Sequence, residues 1–240
     1  MRSLCIYSYR PPSEYEISTI PTPKITLPNR VLVKVAAGSI NPADMEQARG
    51  DFKMAVTLPI PHKLGLDISG TVIAVGKSVK ELKIGDEVFG FLPFPMDTCG
   101  MSEYAVATEL MLVLKPKGIS HVEAASLGYV ALTALQCFEK MELEGGVEDK
   151  TVLITSVGGM GSIACQMAKN IFGAAKVITT VSTEKVGKVD KLSGNGVVDR
   201  IIDYKKTDLV KEIPMLPHGS VGFMIDSTHQ DLKCGLMRGN

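Results

Sequence analysis

Short apolar runs broken by glycine and proline fill the first half of the chain. The clearest are Val31-Leu32-Val33-Lys34-Val35, Gly70-Thr71-Val72-Ile73-Ala74-Val75-Gly76, Glu87-Val88-Phe89-Gly90-Phe91 and Met111-Leu112-Val113-Leu114. Strands this short, regularly punctuated, predict a small, partly open β-barrel over residues 1–119. Gly76-Lys77 and Gly85-Asp86 supply turn dipeptides suited to positive φ or to Asx turns.

Near residue 120 the pattern changes. Ser120-His121-Val122-Glu123 has capping-box spacing: a hydroxyl for the amide three residues on and a carboxylate that reaches back. A helix of about fifteen residues is expected from there, with Ala124, Leu127, Ala131, Leu135 and Phe138 on one face. After Glu144-Gly145-Gly146 come an apolar strand Thr151–Thr155, a glycine loop, and a helix Ser162–Phe172 that Gly173 can end. Strands follow at Lys176–Val181, Arg200–Ile202 and Val221–Asp226. Strands apolar on both faces and alternating with helices predict a parallel, doubly wound α/β sheet over residues 120–240.

The 240 residues allow one large domain or two ordinary ones, and 45% hydrophobic with 22% charged residues is a globular balance. Lys+Arg and Asp+Glu each count 26, with no block of one sign, which argues against nucleic acid or an acidic membrane surface as partner. The first residues carry no signal-peptide core or Arg/Ser-rich presequence, so a cytoplasmic location is the default expectation. The longest uncharged run, Ala124–Phe138, is interrupted by polar residues and falls short of the roughly 20 apolar residues that span a bilayer. Cys5, Cys99, Cys137, Cys165 and Cys234 lie far apart with no CxxC pair, as expected of reduced structural thiols rather than a disulfide or zinc framework.

The chemistry concentrates in Ser156-Val157-Gly158-Gly159-Met160-Gly161, between a strand and a helix. There a strand must turn sharply, a pyrophosphate must approach bare backbone, and the helix must sit tightly on the strand; Gly158 and Gly161 have the spacing for the last two tasks. Free N–H groups of the first helical turn then face the anion. Ser156 replaces the first glycine of the fingerprint, and a glycine turn without a ligand is the alternative for such a motif in isolation. At the end of the next strand, where an acidic residue would select NADH by its ribose hydroxyl, the chain has Ser182, Thr183, Glu184 and Lys185. Hydroxyls and a lysine suit a 2′-phosphate, which favours NADPH; an ordinary polar loop is the alternative.

Asn41-Pro42-Ala43-Asp44, Gly65-Leu66-Asp67, Gly70–Gly76, Gly85-Asp86-Glu87-Val88, Ser102-Glu103-Tyr104 and Ser156–Gly161 occur in the order seen in medium-chain dehydrogenase/reductases. From about Leu4 to Thr228 the chain resembles their zinc-independent, quinone oxidoreductase (ζ-crystallin-like) branch. The resemblance implies a GroES-like substrate domain, a Rossmann domain that binds NADPH, and hydride transfer to a quinone, enone or related conjugated carbonyl. An enoyl or alkene reductase of a biosynthetic pathway, or a nucleotide-binding protein without turnover, are the other readings. The resemblance places Asn41 near the nicotinamide and the substrate oxygen, although Asn before Pro also caps turns. It places Thr133 against the nicotinamide end, although a helix hydroxyl also bonds the preceding turn. Asp44 either orients Asn41 or caps the helix after Pro42. Relatives carry an aromatic residue soon after the Asn-Pro pair, where this chain has Met45 and Glu46.

Zinc-dependent relatives place a cysteine near Asn41 and Gly-His-Glu at Gly65-Leu66-Asp67. A catalytic zinc needs three protein ligands, so no metal is expected, and His62 is expected at the surface. Relatives also continue past this chain's last residues to complete a six-stranded sheet. With four strand candidates after residue 150, the Rossmann sheet is expected to be incomplete, Val221–Asp226 to be an exposed edge, and that edge to pair with another chain in a homo-oligomer.

Overall fold

The computed structural model describes residues 1–55, 57–92, 99–207, 221–226 and 233–236. The chain divides into two compact units, Met1–Tyr129 and Val130–Asn240.

The first unit holds strands β1 (Arg2–Ile6), β2 (Glu16–Thr19) and β3 (Arg30–Ser39), helix α1 (Pro42–Arg49), strands β4 (His62–Lys63), β5 (Asp67–Val75), β6 (Glu87–Phe91), β7 (Tyr104–Thr108) and β8 (Leu112–Leu114), and helix α2 (His121–Ala125). A five-stranded antiparallel sheet of order β7-β3-β5-β6-β8 and a three-stranded one of order β2-β1-β4 are joined by a bridge between Ser3 and Ser102. The larger sheet is the unit expected from the punctuated runs. It buries Val31, Val33, Ile68, Val72, Val88 and Leu112 in one cluster, and Ile6, Ala48, Leu58 and Leu64 form a second cluster. β3 and β5 approach so closely that a Cβ on Gly70 would strike the Lys34 carbonyl oxygen. Only glycine fits there.

Two expectations are corrected in this unit. His62 is 4% exposed rather than on the surface, because β4 pairs with β1 (Ile6 opposite His62) and draws the ring into the small sheet. The single helix expected from Ser120 is two: α2, then α3 (Gly128–Leu143) after a break at Ser126 and Leu127. The capping box at Ser120 and Glu123 forms as read. The break has a tertiary cause. A Cβ on residue 128 would lie 2.5 Å from Asp67 Oδ1 and 2.8 Å from the Gly90 carbonyl oxygen, so the chain steps aside to seat a glycine there. α2 packs on β3, β5 and β6 and belongs to the first unit.

The second unit adds β9 (Thr151–Thr155), α4 (Gly159–Asn170), β10 (Lys176–Val181), α5 (Val186–Gly194), β11 (Arg200–Asp203), β12 (Val221–Asp226) and β13 (Lys233–Leu236). The sheet order is β11-β10-β9-β12-β13, with the first four strands parallel. β9 alternates between two cores: Val152 and Ile154 pack with Phe138, Met141, Ala164 and Phe223, while Leu153 meets Ile178 and Ile202 on the other face. That two-sided burial is why the strand reads as an unbroken apolar run. α4 starts at Gly159, earlier than expected, since the glycines belong to its first turn.

The expected exposed edge at β12 is also corrected. β13 pairs with it antiparallel, Phe223 opposite Leu236 and Asp226 opposite Lys233, so β12 has a neighbour on each side. An antiparallel return needs only a short connection, whereas another parallel strand would need a crossover. Lys233-Cys234-Gly235-Leu236 is too short and too polar to announce itself. The pairing premise for a homo-oligomer through β12 falls with it.

Phe138 is fully buried and stacks on Phe172 with ring centroids 4.5 Å apart. Phe138→Ala is expected to lower unfolding free energy by about 3–5 kcal/mol, read as a fall in urea midpoint without a change in slope.

Candidate active site

In the first unit, two carboxylates share a buried centre at the start of α1 and β5. Asp44 is the third residue of α1 and 2% exposed. Its Oδ2 accepts the Asn41 backbone N–H at 2.7 Å and its Oδ1 accepts the Gly65 N–H at 2.9 Å. Of the two roles open for Asp44, the geometry occupies the cap: it engages the backbone of Asn41, not its amide group. Burial pushes its carboxyl up to about 6, against the pull of the bonds from Asn41 and Gly65 and with a further push from the charge of Asp67.

Asp67 is fully buried. Its Oδ2 accepts from Ser39 Oγ at 2.6 Å and from Asn41 Nδ2 at 2.7 Å, and its Oδ1 accepts the Tyr129 N–H at 2.5 Å, at the first turn of α3. Burial raises its pKa, and the bonds from Ser39, Asn41 and Tyr129 oppose that rise. The space around it is kept by small residues: a Cβ on Gly100 would strike the Asp67 carbonyl oxygen and one on Gly38 would stand 2.5 Å from the Gly100 carbonyl oxygen. Sequence reasoning quoted Asp67 inside a motif and gave it no role. The available signal was an acidic residue opening an otherwise buried strand, a placement that requires partners.

Phe91 lies opposite Asp67 across β5 and β6, and its ring meets that of Tyr129 with centroids 5.4 Å apart and planes tilted by 55°. The aromatic surface of this centre therefore comes from β6 and the start of α3, not from Met45 or Glu46. Burial raises the Tyr129 phenol, and the charges of Glu46, Asp44 and Asp67 add to it.

In the second unit, β9 turns into α4 through Ser156, which takes a left-handed φ of 63°. Ser156 thus adopts the conformation that a glycine would adopt most easily, at a cost of roughly 1–2 kcal/mol. Its N–H bonds to the carbonyl oxygen and hydroxyl of Thr180 at 3.1 and 3.2 Å, which fixes the turn to β10. A Cβ on Gly161 would strike the Ser156 carbonyl oxygen, so α4 packs directly on the turn. Gly158 and Gly159 have the opposite surroundings. A Cβ on Gly158 would meet nothing within 4 Å, and one on Gly159 only Val130 at 3.6 Å. Ser162 is the first residue whose N–H closes α4, onto the Gly158 carbonyl oxygen at 3.0 Å. The amides of Gly159, Met160 and Gly161 precede it and point out of the helix end. The Met160 side chain packs on the core, so its contribution here is its backbone. Thr133 lies one turn along α3 from Val130 and so on the same side of that helix.

At the ends of the parallel strands, Thr155 Oγ1 donates to Asp226 Oδ1 at 2.6 Å, joining β9 to β12 where the strand order reverses direction. Crevices at such a reversal hold ligands in open α/β sheets. After β10, Ser182 is buried, Thr183 Oγ1 donates to Asp203 at 2.8 Å, and Lys185 is exposed. Glu184 pairs with Lys205 at 2.7 Å, which holds its carboxyl down at about 2. Val181 stands opposite Asp203, so Tyr204, Lys205 and Lys206 follow β11 beside this loop. Sequence reasoning missed these three; the signal was their place directly after the third strand of a nucleotide-type sheet.

An antiparallel unit with buried carboxylates, followed by a parallel sheet of order 3-2-1-4 with a bare-amide turn after its first strand, has the architecture of the dehydrogenase/reductases. Comparison with known proteins agrees. Residues 27–142 match the alcohol dehydrogenase GroES-like domain and residues 159–232 the zinc-binding dehydrogenase family. A quinone oxidoreductase structure from Coxiella burnetii is 32% identical with a TM-score of 0.81, covering 96% of this chain and 69% of that one. The Escherichia coli quinone oxidoreductase complexed with NADPH is 26% identical with a TM-score of 0.79, covering 96% of this chain and 67% of that one. An Arabidopsis thaliana chloroplastic NADPH-dependent alkenal/one oxidoreductase is 37% identical over 203 residues, 82% of this chain and 50% of the relative. The chain belongs to the medium-chain dehydrogenase/reductase superfamily, with the quinone and alkenal oxidoreductases as its relatives. It spans about half the length of the curated relatives it matches. Among the described residues, no helix is long and apolar enough to cross a membrane.

Asp44 binds protons more tightly in the folded chain (about 6) than its ordinary 3.8. The folded state then holds more protons between those values, so this contribution is complete below about pH 4 and lost as pH rises through about 6. Measured against Asp44→Asn, wild-type unfolding free energy is expected to fall by up to about 3 kcal/mol between pH 4 and 7. A pH-independent difference contradicts this.

Proposed function

We propose that the chain is an NADPH-dependent oxidoreductase that reduces a quinone, enone or related conjugated carbonyl without zinc. The observation that carries this reading is the β9–α4 turn, where Gly158 leaves open space over unpaired first-turn amides while Gly161 seals the helix against the strand. Backbone donors at a helix N-terminus suit a diphosphate. Lys185 and the Tyr204 hydroxyl, beside Ser182 and Thr183, suit a further phosphate on the ribose, while Lys205 neutralises Glu184. Thr133 is assigned to the nicotinamide end.

When bound, NADPH supplies the hydride, and the protein supplies position and polar contacts. We assign Asn41 to the developing negative charge on the reduced carbonyl, through the amide hydrogen that Asp67 leaves unused. Asp44 holds the segment carrying Asn41 by capping α1. The zinc-free reading is supported by the donor set: Asn41 and Leu66 offer no metal ligand of the usual kinds, and both Asp67 oxygens face hydrogen-bond donors. Well-separated cysteines favour a reducing compartment such as the cytoplasm, with a small molecule as the partner.

Fluorescence titration is expected to give saturable binding of NADPH, weaker binding of NADH, and NADPH oxidation with members of a quinone and 2-alkenal panel. Gly158→Ala is expected to keep the wild-type thermal midpoint, because its methyl meets open space, and to weaken NADPH binding tenfold or more. Absence of NADPH binding by the wild type contradicts the reading. Binding without turnover of any panel member leaves a nucleotide-binding protein.

A further inference from the structure

We infer that Asp67 is the positioning residue that sets the polarity of Asn41, holding its amide group by one N–H so that its carbonyl oxygen and second N–H face away from the buried carboxylate. This rests on the assignment of Asn41 to the reacting carbonyl.

An asparagine side chain can turn by 180° and exchange a donor for an acceptor with little change in shape. Which end it presents depends on its neighbours. Here the neighbour is a carboxylate, which only accepts, so the NH2 end must point at Asp67 Oδ2, at 2.7 Å. Asp67 cannot itself rotate to offer anything else. Its other oxygen is tied to the Tyr129 backbone N–H, whose direction is fixed by the start of α3, and Ser39 Oγ adds a second donor to Oδ2. Gly128 lies against the carboxylate, where even an added Cβ would stand 2.5 Å from Asp67 Oδ1. Asn41 itself is anchored through its backbone to Asp44. The backbone is held by one carboxylate and the amide plane by the other, and the side-chain oxygen faces the Asp44 backbone N–H in the capping box of α1, which leaves Asn41 one presented donor in a fixed arrangement.

Asp67→Asn is the discriminating change. It keeps the shape but brings an NH2 group of its own, which can donate to the Asn41 carbonyl and let the Asn41 amide settle in either sense. The test uses the full chain as wild type, Asp67→Asn, Asn41→Ala and the double variant. Steady-state NADPH oxidation with a 2-alkenal is expected to show kcat lowered at least tenfold in Asp67→Asn, the NADPH KM changed less than threefold, and the double variant within twofold of Asn41→Ala, since a residue acting through Asn41 has nothing left to position. Losses that multiply in the double variant overturn the inference. Side-chain amide NMR of the wild type gives the independent readout. One Asn41 Hδ2 is expected downfield and slow to exchange, the other ordinary, and a pair that exchanges alike overturns the inference even if Asp67→Asn fails to fold. A wild type without NADPH turnover sinks the proposed function and is told apart by an intact asymmetric amide signal.

Discussion

The turn from β9 into α4 carries the constraint on which the second unit depends. A strand buried on both faces must end, reverse and become a helix within a few residues, and no side chain can occupy the space between helix and strand. Ser156 meets the requirement by a left-handed φ and Gly161 by lacking a Cβ that would strike the Ser156 carbonyl oxygen. The same geometry turns the first amides of α4 outward. A demand of packing therefore leaves donors without partners inside the helix, and these are the groups to which the proposed function assigns an anion.

The first unit solves a different problem, the placement of negative charge where water does not reach. An isolated buried carboxylate is strongly disfavoured, and one surrounded by donors is tolerated. Asp67 gathers a hydroxyl, a side-chain amide and a backbone N–H, while Asp44 takes the backbone N–H groups of Asn41, Gly65 and Leu66. Together they tie the start of α1, the start of β5 and the start of α3 to one point. Asn41 stands between them, its backbone on one carboxylate and its amide on the other. Small residues at 38, 100 and 128 are the steric counterpart of this centre.

Local signals were legible in the sequence, and long-range ones were not. The runs at 31–35, 70–76, 87–91, 151–155, 176–181 and 221–226 are strands because their composition and spacing are set by burial on a pleated surface. The Ser120–Glu123 cap is a local bond and was equally readable. The break before Gly128 was hidden, because its cause is Asp67 and Gly90, far away in the chain. His62 reads as a surface residue until β4 pairs with β1, and β13 reads as a tail until it pairs with β12. In the site, the glycine turn announced itself through its spacing, whereas the role of Asp67 emerges only when Ser39, Asn41 and Tyr129 converge on it.

The claim that the amides after Ser156 receive a dinucleotide diphosphate is tested most directly by backbone amide NMR during titration of the full chain with NADPH. The account predicts that the largest shifts fall on Gly158, Gly159, Met160 and Gly161, with those amides becoming slow to exchange at saturation. Saturable binding that leaves these four amides unmoved would contradict it.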